Sequence, residues 1–215
     1  MLSLFFQSLF IFSITDYFLV EYMNLSGVYF LLHFVHNMIV SYLTYPNIEA
    51  IFCKDCGTKN FDVRVLSYVY SLHVYHVLSY FHYLNANDWL HHFFSMFVAV
   101  PLTAFFFREE MQFLGMCLFF TTGVPGGINY LLCFLYKNRW MITKRQQLCI
   151  NVFIQSWIRC PGIVMTSGFV LQHVLQNREL FTKECYVGGI IFFILYWNGI
   201  YFQNEVFRAH YSLRT

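Results

Sequence analysis

Residues 85–97, NANDWLHHFFSMF, set Asp88 and the adjacent histidines His91 and His92 at the mouth of a run otherwise rich in Phe, Met and Leu. What those three residues mean depends on the solvent. On a water-soluble domain a doubled histidine carries little information. Inside a bilayer the same pair is costly and marks a polar cavity, an interhelical hydrogen bond or a site.

The composition chooses between the two. Of 215 residues, 58% are hydrophobic and only 11% are charged, and the mean hydropathy is +0.52. A soluble domain carries roughly 25% charged residues, so the supply for a water-facing surface is less than half the usual. The aromatic content of 22%, with 27 Phe and 16 Tyr, suits lipid-facing bulk and interfacial belts. A net charge of +2 is too small to argue for nucleic acid. The chain reads as an all-α, polytopic transmembrane bundle forming a single domain over residues 1–215.

A membrane-spanning helix needs roughly 20 mostly apolar residues. On that scale the sequence predicts spans near 2–20, 26–45, 64–84, 89–107, 112–136, 147–172 and 185–206, six or seven in all. The runs are too long and too continuously apolar for barrel strands, which are roughly 10 residues long and alternate in polarity. The N-terminal run within residues 1–23 lacks a basic leader and a small-residue cleavage site, so it reads as an additional span rather than a signal peptide. Asp16 inside it predicts that one face packs on protein.

Orientation follows from Lys and Arg in the short loops. The segment YKNRWMITKRQQ carries Lys137, Arg139, Lys144 and Arg145 with no acid, which predicts a cytosolic loop and, counting onward, a cytosolic C-terminus. Loop 46–63 then lies on the lumenal or external side. Its CKDC segment leaves three readings of Cys53 and Cys56: a disulfide, half of a zinc site, or two incidental thiols. The other five cysteines read as small apolar fillers.

At a rise of about 1.5 Å per residue, seven of the nine histidines fall in the cytosolic half of the bilayer, on three consecutive spans. His33 and His36, and likewise His73 and His76, are spaced i,i+3 and share a helix face. His82 sits at the cytosolic edge, and His91 and His92 lie one turn inside that edge. Asp88 is three residues before His91 and four before His92, in reach of either ring, where it would fix the tautomer and raise basicity. The bland reading of each histidine is an interhelical hydrogen-bond partner. In CINVFIQSWIRCPG, Asn151, Gln155 and Arg159 follow one another at i+4 along one helix face, and Arg159 must face protein, water or an anionic ligand. Asp16 is the only acid near its depth. Pro161 and Gly162 should kink that helix. The segment FFTTGVPGGINYLL should break its own helix, which is tolerated where backbone is buried or lines a cavity. Tight packing through small residues is the alternative for both.

The helix opening with DWLHHFFSMF, preceded by one carrying LHVYHVL, resembles the TLC superfamily of multi-spanning, lipid-handling membrane proteins, over roughly residues 26–206. The resemblance implies a role in lipid metabolism in the endoplasmic reticulum. His91 and His92 match the family's paired histidines, which in ceramide synthases belong to the acyl-transfer site between acyl-CoA and a sphingoid base. The aspartate-bearing segment that accompanies them in those enzymes has no counterpart here. Its place is taken by TTGVPGGINYLL, with Asn129 the nearest polar equivalent. LHVYH is also similar to the histidine box of fatty acid elongases, but His76 is followed by Val77 rather than a second histidine. The spacings HxxH, HxxH and HH do not reproduce the boxes of membrane di-iron enzymes, so neither a metal nor another cofactor is expected, and acyl-CoA enters only as a substrate.

These readings combine into one expected site. His91 or His92, oriented by Asp88 and joined by His73 and His76, would act as base or nucleophile. Arg159, Gln155 and Asn151, with Asn129 and His36, would hold an anionic headgroup or developing charge. Membrane lipids are the expected partners. The opposed expectation is a non-catalytic protein that binds a lipid or sterol, regulates membrane composition, or works as a small carrier.

Overall fold

The computed structural model describes residues 1–53, 60–106, 112–176 and 183–212, and all regular structure among them is helical. The elements are α1 (Leu2–Glu21), α2 (Val28–Phe52), α3 (Arg64–Tyr80) with a 3-10 turn Phe81–Tyr83, α4 (Ala86–His92), a π-helical segment Phe93–Ala99, α5 (Val100–Phe106), α6 (Gln112–Thr121), α7 (Val124–Lys137), α8 (Lys144–Ile154), a second π-helical segment Gln155–Arg159, α9 (Cys160–Gln176) and α10 (Lys183–Tyr211). They string into seven rods, because α4 to α5, α6 to α7 and α8 to α9 run on from one another with at most a two-residue break.

The polarity of α2 shows which solvent the fold is built for. Its buried residues include His33, His36, Asn37, Ser41, Thr44 and Asn47, whereas Val35, Tyr42, Tyr45 and Phe52 are exposed. In water this is backwards. In hydrocarbon an outward apolar face costs nothing, and helices associate through small and polar residues. The hydroxyls of Ser41 and Thr44 donate to the carbonyls of Asn37 and Val40, each at 2.7 Å, so burying them leaves no donor unmet. Among the described residues four helical stretches are long and apolar enough to cross a membrane: Leu2–Glu21, Gln112–Lys137, Lys144–Gln176 and Cys185–Tyr211. The chain is an integral membrane protein. The three rods outside that set, α2, α3 and α4–α5, are those that carry the paired histidines.

Three apolar clusters tie the rods together. Phe12, Val28, Leu32, Leu72 and Tyr75 join α1, α2 and α3. Val40, Val65, Val69, Met96, Val100 and Leu114 join α2, α3, the first π segment, α5 and α6. Ile163, Val170, Val187, Ile191 and Leu195 join α9 to α10. At one end of the bundle Asn138 clamps the α1–α2 turn: the Ser26 amide donates to its Oδ1 at 3.0 Å and its Nδ2 donates to the Ser26 carbonyl at 2.7 Å. Thr143 and Gln146 form a reciprocal capping box at the start of α8. Ahead of α3, Asp62 accepts from the Arg64 side chain and amide, and this pairing holds its carboxyl below the usual carboxylate range.

One boundary expected from sequence moves. The span placed at 26–45 continues as helix through Pro46 to Phe52, since a proline forfeits only one hydrogen bond and the surrounding turns hold. The loop therefore starts at Cys53, which is disulfide-bonded. Cys56 lies outside the described residues. The five other cysteines, Cys117, Cys133, Cys149, Cys160 and Cys185, are free. The break expected from VPGG is present: α6 ends at Thr121 and α7 restarts at Val124 with Pro125 in its first turn. Asp16 packs on protein as expected, accepting from Tyr80 Oη at 3.1 Å.

Close approach of α6 to α2 rests on Gly115, where an added Cβ would collide with the buried Asn47 side chain. Gly115→Val is expected to lower stability by about 1–3 kcal/mol, the usual cost of overpacking. Thermal unfolding of the detergent-purified variant, followed by size-exclusion chromatography, checks it. An unchanged midpoint would mean that the two helices are free to separate there.

Candidate functional site

The histidines that sequence spacing placed on separate helices come together. His92 lies between His73 and His76, with ring centroids at 5.0 and 4.8 Å, and His76 lies 5.4 Å from His33. All three rods outside the apolar set thus contribute. His33 and His73 each bond through Nδ1 to the carbonyl four residues back, Tyr29 at 2.8 Å and Val69 at 2.7 Å. A carbonyl can only accept, so each Nδ1 carries a proton. Both rings are therefore held in orientation, with Nε2 directed away from the backbone.

His92 is 6% exposed and packed against two other imidazoles. Depth says nothing about which way a residue faces around the helix axis. The π-helical segment that begins at Phe93 also shifts the register of this rod. Such segments concentrate at functional sites. The side chains of Asp88 and His91 lie outside the described residues, and so does their expected contact. His82 is exposed on the 3-10 turn, away from the cluster. His36 is buried but sits to one side, bonding Asn37 Oδ1 through Nδ1 at 2.9 Å and lying 6.2 Å from the Phe12 ring. Its Nε2 faces the Tyr68 backbone without reaching hydrogen-bond geometry.

Two tyrosines that the sequence reading passed over complete the cluster. The Tyr29 ring is 3.9 Å from His33 and 4.5 Å from His76, and its hydroxyl lies 3.4 Å from His76 Nδ1. Tyr130 is 4.7 Å from His33. Tyr29 was findable, because it stands at i−4 from His33 on the same helix face. Tyr130 was not, because its helix meets α2 only in the tertiary fold.

Arg159 lies beyond Tyr130, and the ionisable side chains around it are Tyr130, Cys117 and Cys160. Its Nη1 donates to Gln155 Oε1 at 3.4 Å, and its guanidinium carbon is 5.3 Å from the centre of the Phe202 ring. Arg159 Nε, Gln155 Nε2 and Ser156 Oγ are buried without a hydrogen-bond partner. They share the second π-helical segment, whose exit is an i+5 bond from the Cys160 amide to the Gln155 carbonyl. No carboxylate pairs with Arg159 among the described residues. Asp16, the acid that depth alone offered it, belongs to Tyr80 instead. The i+4 stripe is real for Gln155 and Arg159, and Asn151 is also buried. Asn129 accepts from Gln147 Nε2 at 3.2 Å.

A cavity of about 70 Å³, room for a few waters or a small head on one chain, lies between the two groups and is lined by His73 alone of their residues. His73 forms part of its wall, and Cys117, the neighbour of Arg159, forms another part. Val69, Val100, Leu118 and Val170 supply apolar surface, while Thr121, Thr122 and Asn198 supply polar atoms. The Oδ1 of Asn198 is buried with no hydrogen-bond partner. Among the described residues no group of three or more His, Cys, Asp or Glu is arranged to hold a metal ion. Comparison of the chain with protein-family models, with curated proteins and with solved structures finds no match in any of the three.

Proposed function

We propose that this protein is a lipid-directed membrane protein of six to seven spans, with an acyltransferase-like site opening within the bilayer and a basic imidazole as its working group. One observation carries the reading: an apolar cavity has His73, which packs on His92 of the histidine cluster, in one wall and Cys117, a neighbour of Arg159, in another. An acyl transfer needs a base or nucleophile, a holder for negative charge and room for a chain. His92, His91, His73 and His76 supply the first role, with Asp88 as the orienting acid. Arg159, Gln155 and Asn151 supply the second, and acyl-CoA is the donor that the TLC resemblance implies. That resemblance also motivates the endoplasmic reticulum as location. The basic 137–145 loop motivates a cytosolic C-terminus, and the Ser26–Asn138 clamp fits it by holding the 22–27 and 138–143 turns at one end of the bundle.

The cavity volume favours a second reading alongside the first. About 70 Å³ holds the head of one ligand and not two reactants, which suits a protein that binds a lipid without transforming it. Both readings require a bound lipid. Native mass spectrometry of the gently purified protein, with lipid analysis of what is released, is expected to find one acidic lipid or acyl thioester per chain. A protein that emerges bare after mild extraction, at a signal equal to the detergent background, would sink both.

A further inference from the structure

A second, larger hollow lies on the outside of the bundle. It is a groove of about 720 Å³ between the Ala86–Phe106 rod and α10, lined by Leu90, Phe94 and Val98 on one side and Gly189, Phe193 and Trp197 on the other. Its volume falls in the range of roughly 300–1,000 Å³ usual for small-ligand sites. Its lining residues Ile190 and Phe193 are exposed and apolar, so it faces hydrocarbon rather than water. Ile194 lines this groove and also lines the inner cavity. The groove and the space bordered by His73 therefore meet at this side chain.

We infer that a single-chain amphiphile with a small polar head, a long-chain fatty acid or its close relative, reaches the histidine cluster sideways from the bilayer, with Ile194 as the door. This rests on the lipid-directed reading above and names its substrate class. The head lies in the inner cavity, where His73, Thr121 and Asn198 offer polar contacts and Arg159 stands behind Cys117. The chain passes Ile194 and lies in the groove. The occupant is not a partner helix, because a helix is about 10 Å across with its side chains and cannot follow a passage one side chain wide. Nor is it an intact phospholipid, because two acyl chains side by side cannot follow a passage one side chain wide. A carboxyl head crosses the apolar groove as the neutral acid, since an isolated charge in hydrocarbon neutralises instead.

Gly189 makes the route testable without disturbing the core. A Cβ added there meets nothing within 4 Å, so Gly189→Leu fills the groove and leaves the packing alone. The full-length protein in phosphatidylcholine vesicles is irradiated with two long-chain fatty acid probes, one bearing a diazirine beside the carboxyl and one at mid-chain, and the adducts are mapped. Wild type is expected to be labelled in the cavity, at Thr121 or Val170, by the first probe and in the groove, at Phe94 or Phe193, by the second. Unlabelled fatty acid should compete and lysophosphatidylcholine should not. Gly189→Leu is expected to lower both signals. Ile194→Trp should cut cavity labelling by at least about tenfold, equivalent to 1.4 kcal/mol, while groove labelling persists, and Ile194→Ala should raise it. Cavity labelling that is unchanged in Gly189→Leu and Ile194→Trp would overturn the sideways route and leave the lipid reading standing. A wild type labelled in neither place would overturn both, and probe-independent cross-linking of two chains through the groove would make it a contact between copies.

Discussion

Arg159→Leu is expected to release the co-purifying acidic lipid while leaving the protein as stable as wild type or more so. The two effects have separate causes. Arg159 Nε, Gln155 Nε2 and Ser156 Oγ are buried donors with no partner, so an anion at that point gains hydrogen bonds to a charged group worth about 1.5–3 kcal/mol each. Losing two of them lowers occupancy by at least about a hundredfold, at 1.4 kcal/mol per tenfold. A buried guanidinium with no carboxylate partner contributes nothing to offset its desolvation, and an apolar side chain of similar volume is commonly neutral or stabilising in its place. Arg159→Lys should restore only part of the binding, because an ammonium cannot reproduce the planar fork that Gln155 and Phe202 orient. Native mass spectrometry gives the occupancy and thermal unfolding gives the stability. Unchanged lipid with a lowered midpoint, rescued by Lys, would make Arg159 a structural residue and remove it from the site.

His92→Phe should abolish any lipid modification and keep the fold. The ring of His92 fills the space between His73 and His76, and phenylalanine replaces that volume with no titratable nitrogen. Removing a general base or acid usually costs about 10²–10⁴ in rate, which takes the lipid profile of expressing cells down to that of cells with the empty vector. His92→Ala loses the same chemistry and also leaves a hollow beside two imidazoles, so it should unfold earlier than His92→Phe. His36→Ala, at a ring that bonds Asn37 and stacks on none of the other imidazoles, should change stability and not the profile. Asp88→Asn should keep residual activity, because an amide still accepts a bond from an imidazole but does not stabilise its charged form. Identical profiles for wild type and His92→Phe at matched expression would leave the cluster as packing and favour the lipid holder over the enzyme.

The α-helical class and the membrane were legible because they follow from composition and the length of apolar runs, quantities summed along the chain. The interruption at Gly123–Val124–Pro125 was legible for a local reason, since proline and glycine act on their own backbone. The Gln155–Arg159 pair was legible because i+4 neighbours meet on any helix. Each of these is a statement about residues near one another in sequence.

Tertiary structure decided the rest. It set Asp16 against Tyr80 rather than Arg159, and Asn129 against Gln147. It drew His33, His73, His76 and His92 from three rods into one cluster, and brought Tyr29 and Tyr130 against it. It also set Ile194 between an outer groove and an inner cavity. A sequence periodicity states which residues share a face of one helix, but not which other helix that face meets. In a membrane this gap is wide, because lipid tails are as apolar as leucine and supply no hydrophobic push to choose the inner face. Here the inner face is chosen by the few polar side chains that hydrocarbon cannot satisfy, and where those converge depends on all the rods at once.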